Sequence, residues 1–220
     1  MNLLEKQVLR LIGEDPSSPD VFLDTDAGMA PVREALNDAI QEIVMLTGSY
    51  KRQYFIPLRA KQGFYRIMLN NGHFGWVTDA GLVNKKRRLE QTGILRLLKH
   101  DPQWMITSAD PRAYFQIGTD VIAVYPKPSA SSDVLELTIV EIPNPYKEDT
   151  DRVKLKTDFH YAAVHFAVAE YWASRGDVQE AKKHWGLYLD VLGLRGRFDQ
   201  TPHSPQRLKT EKANVPQETT

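Results

Sequence analysis

Apolar residues near the start of the chain recur at helical intervals. Leu3, Leu4, Val8, Leu11 and Ile12 predict a short first helix, ended by Gly13 and the segment Asp15–Asp20. Val32, Ala35, Leu36, Ala39, Ile40, Ile43 and Val44 mark one face of a second, longer helix. Pro31 suits its first turn, because the missing N–H is not needed there, and Gly48 is its expected stop.

The pattern then changes period. Tyr54–Ile56 and Phe64–Leu69 are aromatic and β-branched and predict a pair of strands with Gly63 between them. Ala113–Ile117, Val121–Tyr125 and Val134–Val140 predict three more, separated by Gly118–Asp120 and by Pro126–Asp133. In the last, Leu135, Leu137 and Ile139 alternate with Glu136 and Thr138, so one face should be wet. Asn71–Gly75 is expected to be a hairpin or exposed loop.

Helical spacing returns after Pro143-Asn144-Pro145. Tyr161, Val164, Val168, Tyr171 and Trp172 should face inward on a helix beginning near Asp158, closed by Arg175-Gly176. Asp177, with Glu180 three residues on, predicts a capping box for a final helix. That helix carries Ala181, Trp185, Tyr188, Leu189 and Leu192 and ends at Gly193, and Trp172 and Trp185 are expected to pack between the last two helices.

The resulting fold class is α+β: a helical bundle body with an inserted small antiparallel β domain and an extended C-terminal arm. Residues 1–50 and 151–194 supply the helical body, 51–150 the insertion, and 195–220 the arm. The arm holds three prolines and only Phe198, Leu208 and Val215 as larger apolar residues, too few to fold alone.

Composition narrows the function. Lys plus Arg equals Asp plus Glu, at 28 each, so the basic excess of a general nucleic-acid binder is absent. The chain has no cysteine, which excludes disulfides and thiolate metal sites. Met1–Arg10 lacks the basic region and long apolar run of a signal peptide, and nothing approaches the ~20 apolar residues of a membrane span. The expectation is a protein made and kept in water, and the lack of cysteine fits a reducing cytoplasm.

Candidate chemistry is sparse. His160 and His165 are five residues apart, a poor spacing for two ligands on one helical face, although His184 could approach them; the simpler reading is packing or interface histidines. Asp24 and Asp26 read as acids at a helix entry, and Asp149 and Asp151 as linker residues. No phosphate loop, HExxH or GxSxG motif is present. No catalytic residue, metal ligand or cofactor is expected. Lys85-Lys86-Arg87-Arg88 is the one strong charge run; it reads as a solvated loop, or as a contact with phosphates or an acidic partner surface.

The order and spacing of these segments resemble a known family. The early helix Val32–Leu46, the strands Tyr54–Leu58 and Phe64–Ile67, then Pro111–Gly118, Val124–Pro128, Leu135–Ile139 with Ile142-Pro143, and finally Tyr161–Trp172, Arg175-Gly176-Asp177, Glu180-Ala181 and Trp185–Tyr188 are similar to head–tail adaptor, or connector, proteins of tailed bacteriophages, including the tail-tubular-A type. Gly81–His100 matches nothing in that pattern.

The resemblance implies a ring, usually of twelve copies, at the head–tail junction of the virion. It would lie beneath the portal, contact a tail or nozzle protein, and let genomic DNA pass without sequence-specific binding. It also implies that the C-terminal arm embraces the portal, with Arg195, Arg197, Phe198, Arg207, Leu208 and Lys209 as candidate contacts. The alternatives are a cellular scaffold or peptide-binding module that uses the final helix pair, and an enzyme with a site in the β domain.

Overall fold

A computed structural model describes residues 2–14, 26–69, 72–148 and 151–194. The expectations placed on residues 195–220, including Arg195, Arg197, Phe198, Arg207, Leu208 and Lys209, lie outside these residues, as do those on Asp15–Asp20, Asp24, Asn71 and Asp149; the rest of the loop expected at Asn71–Gly75, from Gly72 on, is instead strand (Gly72–Leu82). The fold is α+β, as the alternating periods predict.

Helices α1 (Leu3–Leu11), α2 (Asp26–Thr47), α4 (His160–Ser174) and α5 (Val178–Val191) build one core. α4 is its axis. Every residue from Ala162 to Ala169 is buried, so this helix is covered on all sides. Four of those eight are alanines, which lets α1, α2 and α5 approach closely. Leu36 and Ile43 of α2 and Val168 of α4 meet in this core.

Several local expectations change. α2 begins at Asp26, so Pro31 lies inside the helix rather than in its first turn. Met29 is buried in the core, and that contact gives the added turn a partner. On α1 the inward face is Leu4, Val8, Leu9 and Ile12, while Leu3 and Leu11 point outward. Tyr161, expected inside, is exposed. Asp177 caps α5 by accepting from the backbone N–H groups of Gln179 and Glu180, but the Glu180 carboxylate reaches Lys183 at 2.9 Å rather than closing a box. A 3-10 turn, Thr157–Phe159, leads into α4.

The β region contains two four-stranded sheets. One has the order β1 (Lys51–Pro57), β10 (Val134–Pro143), β3 (Gly72–Leu82), β4 (Arg87–Arg88). The other has the order β2 (Phe64–Arg66), β8 (Val121–Tyr125), β7 (Ala113–Ile117), β5 (Glu90–Gln91). β6 (Ser108–Ala109) and β9 (Lys127–Pro128) form a separate short pair. The expected pairing of the first two strands with each other is therefore wrong: β1 pairs with β10 and β2 with β8. The sheets are not purely antiparallel either, since β5–β7 and β6–β9 are parallel.

Ile56, Tyr65, Val77, Leu82, Ile122 and Leu137 from both sheets meet in a second core. The outer face of the second sheet is covered as well. Alternation sends Tyr114 and Ile122 into the inter-sheet core and Phe115 and Ala123 to the opposite face. There Trp104 stacks edge-on against Phe115 and Phe64, at 5.4 and 6.1 Å between ring centroids, and Leu97 of α3 (Ile94–His100) completes the layer. Burial on both faces explains the nearly unbroken apolar runs of β7 and β8.

β10 belongs to both cores. Leu135, Leu137 and Ile139 enter the inter-sheet core, with Glu136 and Thr138 half-buried opposite them. The pairing with β3 then slips between Thr138 and Ile139 and again between Val140 and Glu141. These irregularities re-aim the strand. Val140 enters the helical core, where Tyr50 and Trp76 pack beside it.

Candidate interaction surfaces

The basic run Lys85–Arg88 sits at the turn joining β3 to β4 and continues into β4. Most of its charges have partners within the chain. The Lys85 ammonium donates to Asp110, and this hydrogen bond holds the Asp110 carboxyl below the usual carboxylate range. The Arg87 guanidinium donates to the Pro111 carbonyl, and Arg88 lies 3.6 Å from Asp79. Lys86 is exposed on a positive φ of 48°. The run is thus a hairpin tied to the 108–112 loop, more ordered than the solvated loop that charge alone suggests.

A second surface went unread in the sequence. α3 is a seven-residue helix entered at Gly93 without a side-chain cap. Leu97 faces inward, while Ile94, Leu95 and Leu98 face solvent, Leu95 at 80% exposure. Met105 and Ile106 follow in the next turn, Ile106 at 71%. Large apolar groups left in water at one end of a domain are the usual mark of a protein contact.

The polar interior is structural. His184 approaches His165, with their Nδ1 atoms 2.7 Å apart, and both are buried. One imidazole must donate and the other accept, so at least one of the two is neutral. Burial first, and the neighbouring His184 second, push His165 down to about 4. His160 takes no part; its Nε2 lies 3.2 Å from the Leu155 carbonyl. Asp151 accepts from the backbone N–H groups of Lys147 and Glu148, and Asp26 starts α2. Among the described residues no group of three or more His, Cys, Asp or Glu is placed to hold a metal ion.

Two fully buried carboxylates were not anticipated. Glu5 is fully buried on α1, where Arg33 Nε donates to it at 2.8 Å and the Tyr146 hydroxyl at 3.3 Å. Glu141 on β10 receives Arg52 at 3.2 Å. For Glu5 the local signal was a capping box, its carboxylate accepting from the Asn2 N–H at 2.7 Å; for Glu141 it was an acid in an apolar stretch, and the arginine partners are 28 and 89 residues away. Glu5 ties α1 to α2 and to Tyr146 beyond β10, and Glu141 ties β10 to β1.

The described residues thus carry a basic hairpin tied down within the chain and an apolar helix face in solvent. The chain belongs to the SU10 adaptor protein family of phage head–tail adaptors, whose family model matches residues 2–209. It is a phage adaptor, a virion component that associates with head and tail parts. Comparison with curated proteins found no match. None of the described helices is long and apolar enough to cross a membrane.

Proposed function

We propose that this adaptor closes into a ring of about twelve copies beneath the portal, joining capsid to tail and continuing the DNA channel. The observation that carries the reading is the family match across nearly the whole chain. In this reading residues 1–50 and 151–194 form the helical body, 51–150 the insertion and 195–220 the portal-docking arm. A closed ring needs two different complementary surfaces on each copy. The α3 face and the Lys85–Arg88 hairpin supply surfaces of opposite character for contacts with a neighbour or the tail. The zero formal charge suits a conduit that must not grip phosphates.

The test is native mass spectrometry of the full chain, alone and with portal rings, for the wild type and for Leu95→Asp/Leu98→Asp. Wild type is expected to add as a complete ring to the portal. The double variant should remain folded, because both positions face solvent, but lose ring closure. A wild-type chain that stays monomeric with the portal present would sink the proposal. Ring formation unaffected by the two aspartates would remove the α3 face from it.

A further inference from the structure

α4 and α5 leave an open groove of about 360 Å³ between them, beside the turn that joins them. Its lining is apolar: Ala169 and Ala173 from α4, and Val178, Ala181 and Trp185 from α5. The three alanines leave room for side chains from outside, and Val178 and Trp185, both exposed, bound that room. Glu170 stands on the α4 rim and Lys182 on the α5 rim.

α3 has the opposite shape. Leu95 and Leu98, three residues apart, form one exposed ridge with Ile94 beside it. At about 1.5 Å per residue α3 is about 10 Å long, and the stretch of α5 from Val178 to Trp185 has the same length. Lys99, one turn beyond Leu95, and the Glu90 carboxylate, 2.9 Å from Arg96, flank the ridge. Each rim charge of the groove therefore has an opposite number, Lys99 for Glu170 and Glu90 for Lys182. Among the described residues neither Lys99 nor Glu170 has an ion pair of its own. α3 is fixed through Leu97 to the aromatic layer of the second sheet, whereas α4 and α5 belong to the helical core. Ridge and groove are both open to solvent within one chain, so the ridge does not fill its own groove.

We propose that the α3 ridge of one copy seats in the α4/α5 groove of the next. Leu95 and Leu98 enter beside Ala169, Ala173 and Trp185, and Lys99 meets Glu170. The contact joins two different surfaces, so it is heterologous, and every copy presents one ridge and one groove to its neighbours. This contact rests on the ring reading above and gives it both of its surfaces.

The chain has no cysteine, so a disulfide reports only on the positions chosen. The full chain carrying Leu95→Cys/Ala173→Cys, or Leu98→Cys/Ala181→Cys, is assembled on portal rings under mild oxidation. Bridging requires Cα atoms within about 7 Å. At least one of the pairs should give a ladder of linked subunits, and mixing its two single variants should stop at dimers. Leu95, Leu98 and Ala173 are exposed and Ala181 half-buried, so circular dichroism should match the wild type. At low ionic strength Lys99→Glu should raise the concentration for half-assembly by about tenfold, because like charges then face each other, and Glu170→Lys in the same chain should recover most of it. Dimers from Leu95→Cys alone would set two α3 helices together and overturn the proposal. Complete rings by native mass spectrometry with no ladder from either pair, or a Lys99→Glu chain that assembles normally or is not recovered by Glu170→Lys, overturn it and leave the ring reading intact. A chain that never assembles on the portal removes both.

Discussion

The buried imidazole pair carries a pH dependence whose sign follows from its geometry. His165 is packed against His184 of α5 and edge-on to the ring of Tyr161, at 4.1 Å between centroids. The other charged groups nearby are Glu180, 3.9 Å from His184 Nε2, and Lys183, which disfavours a charged His184. With His165 lowered from 6.5 to about 4, the unfolded chain binds more protons between those values. The pair's contribution is full above pH 6.5 and is lost as pH falls toward 4. At about 1.4 kcal/mol per unit, the loss is on the order of 3 kcal/mol. Urea unfolding at several pH values should show this slope, and His165→Leu/His184→Leu should flatten it. Equal slopes in the two proteins would show that the imidazoles carry none of it.

β10 illustrates how much one strand can decide. Leu137 is fully buried between the two sheets, whereas Phe55, on the neighbouring β1, is half-exposed. Leu137→Ala is therefore expected to cost about 2–5 kcal/mol, and Phe55→Ala less than about 1 kcal/mol. Denaturant melts of the two variants measure the contrast directly, and comparable losses would mean the inter-sheet core is misplaced. The apolar stripes of α2 and α5 and the apolar runs of α4, β7, β8 and β10 were legible because each is a pattern local to its own segment. β3 was not. Gly72, Gly75 and Gly81 interrupt it, and Thr78 and Asp79 break the alternation. Its glycines answer to contacts made elsewhere: a Cβ on Gly75 would meet the Val140 carbonyl at 3.0 Å. The partners of β1 and β2 were illegible for a related reason, since each pairs with a strand more than fifty residues away. Lys85–Arg88 was visible as charge, but its partners Asp110 and Pro111 come from a distant loop. α3 offered too few residues and no cap, and its solvent-facing leucines contradict the pattern of a helix in a lone monomer.

The two cores are not joined by a linker. They share β10, with Ile139 in one and Val140 in the other. Arg33 and Asn37 of α2 also hold the segment that leaves the strand, through the Lys147 carbonyl and the Tyr146 backbone. Helical and β regions are thus expected to unfold in one cooperative step. Far-ultraviolet dichroism, which follows the helices, and the fluorescence of Trp104, isolated by replacing Trp76, Trp172 and Trp185 with Phe, should give one midpoint. Two separated midpoints would show that the bodies are thermodynamically independent. The same shared strand has a mechanical meaning. A load applied to the β region must shear β10 against β1 and β3 before it can shift the helices, and shear loads many ladder hydrogen bonds at once. Tension entering at one end of such a subunit would be delivered to the other as rigid displacement, with little stretch absorbed on the way.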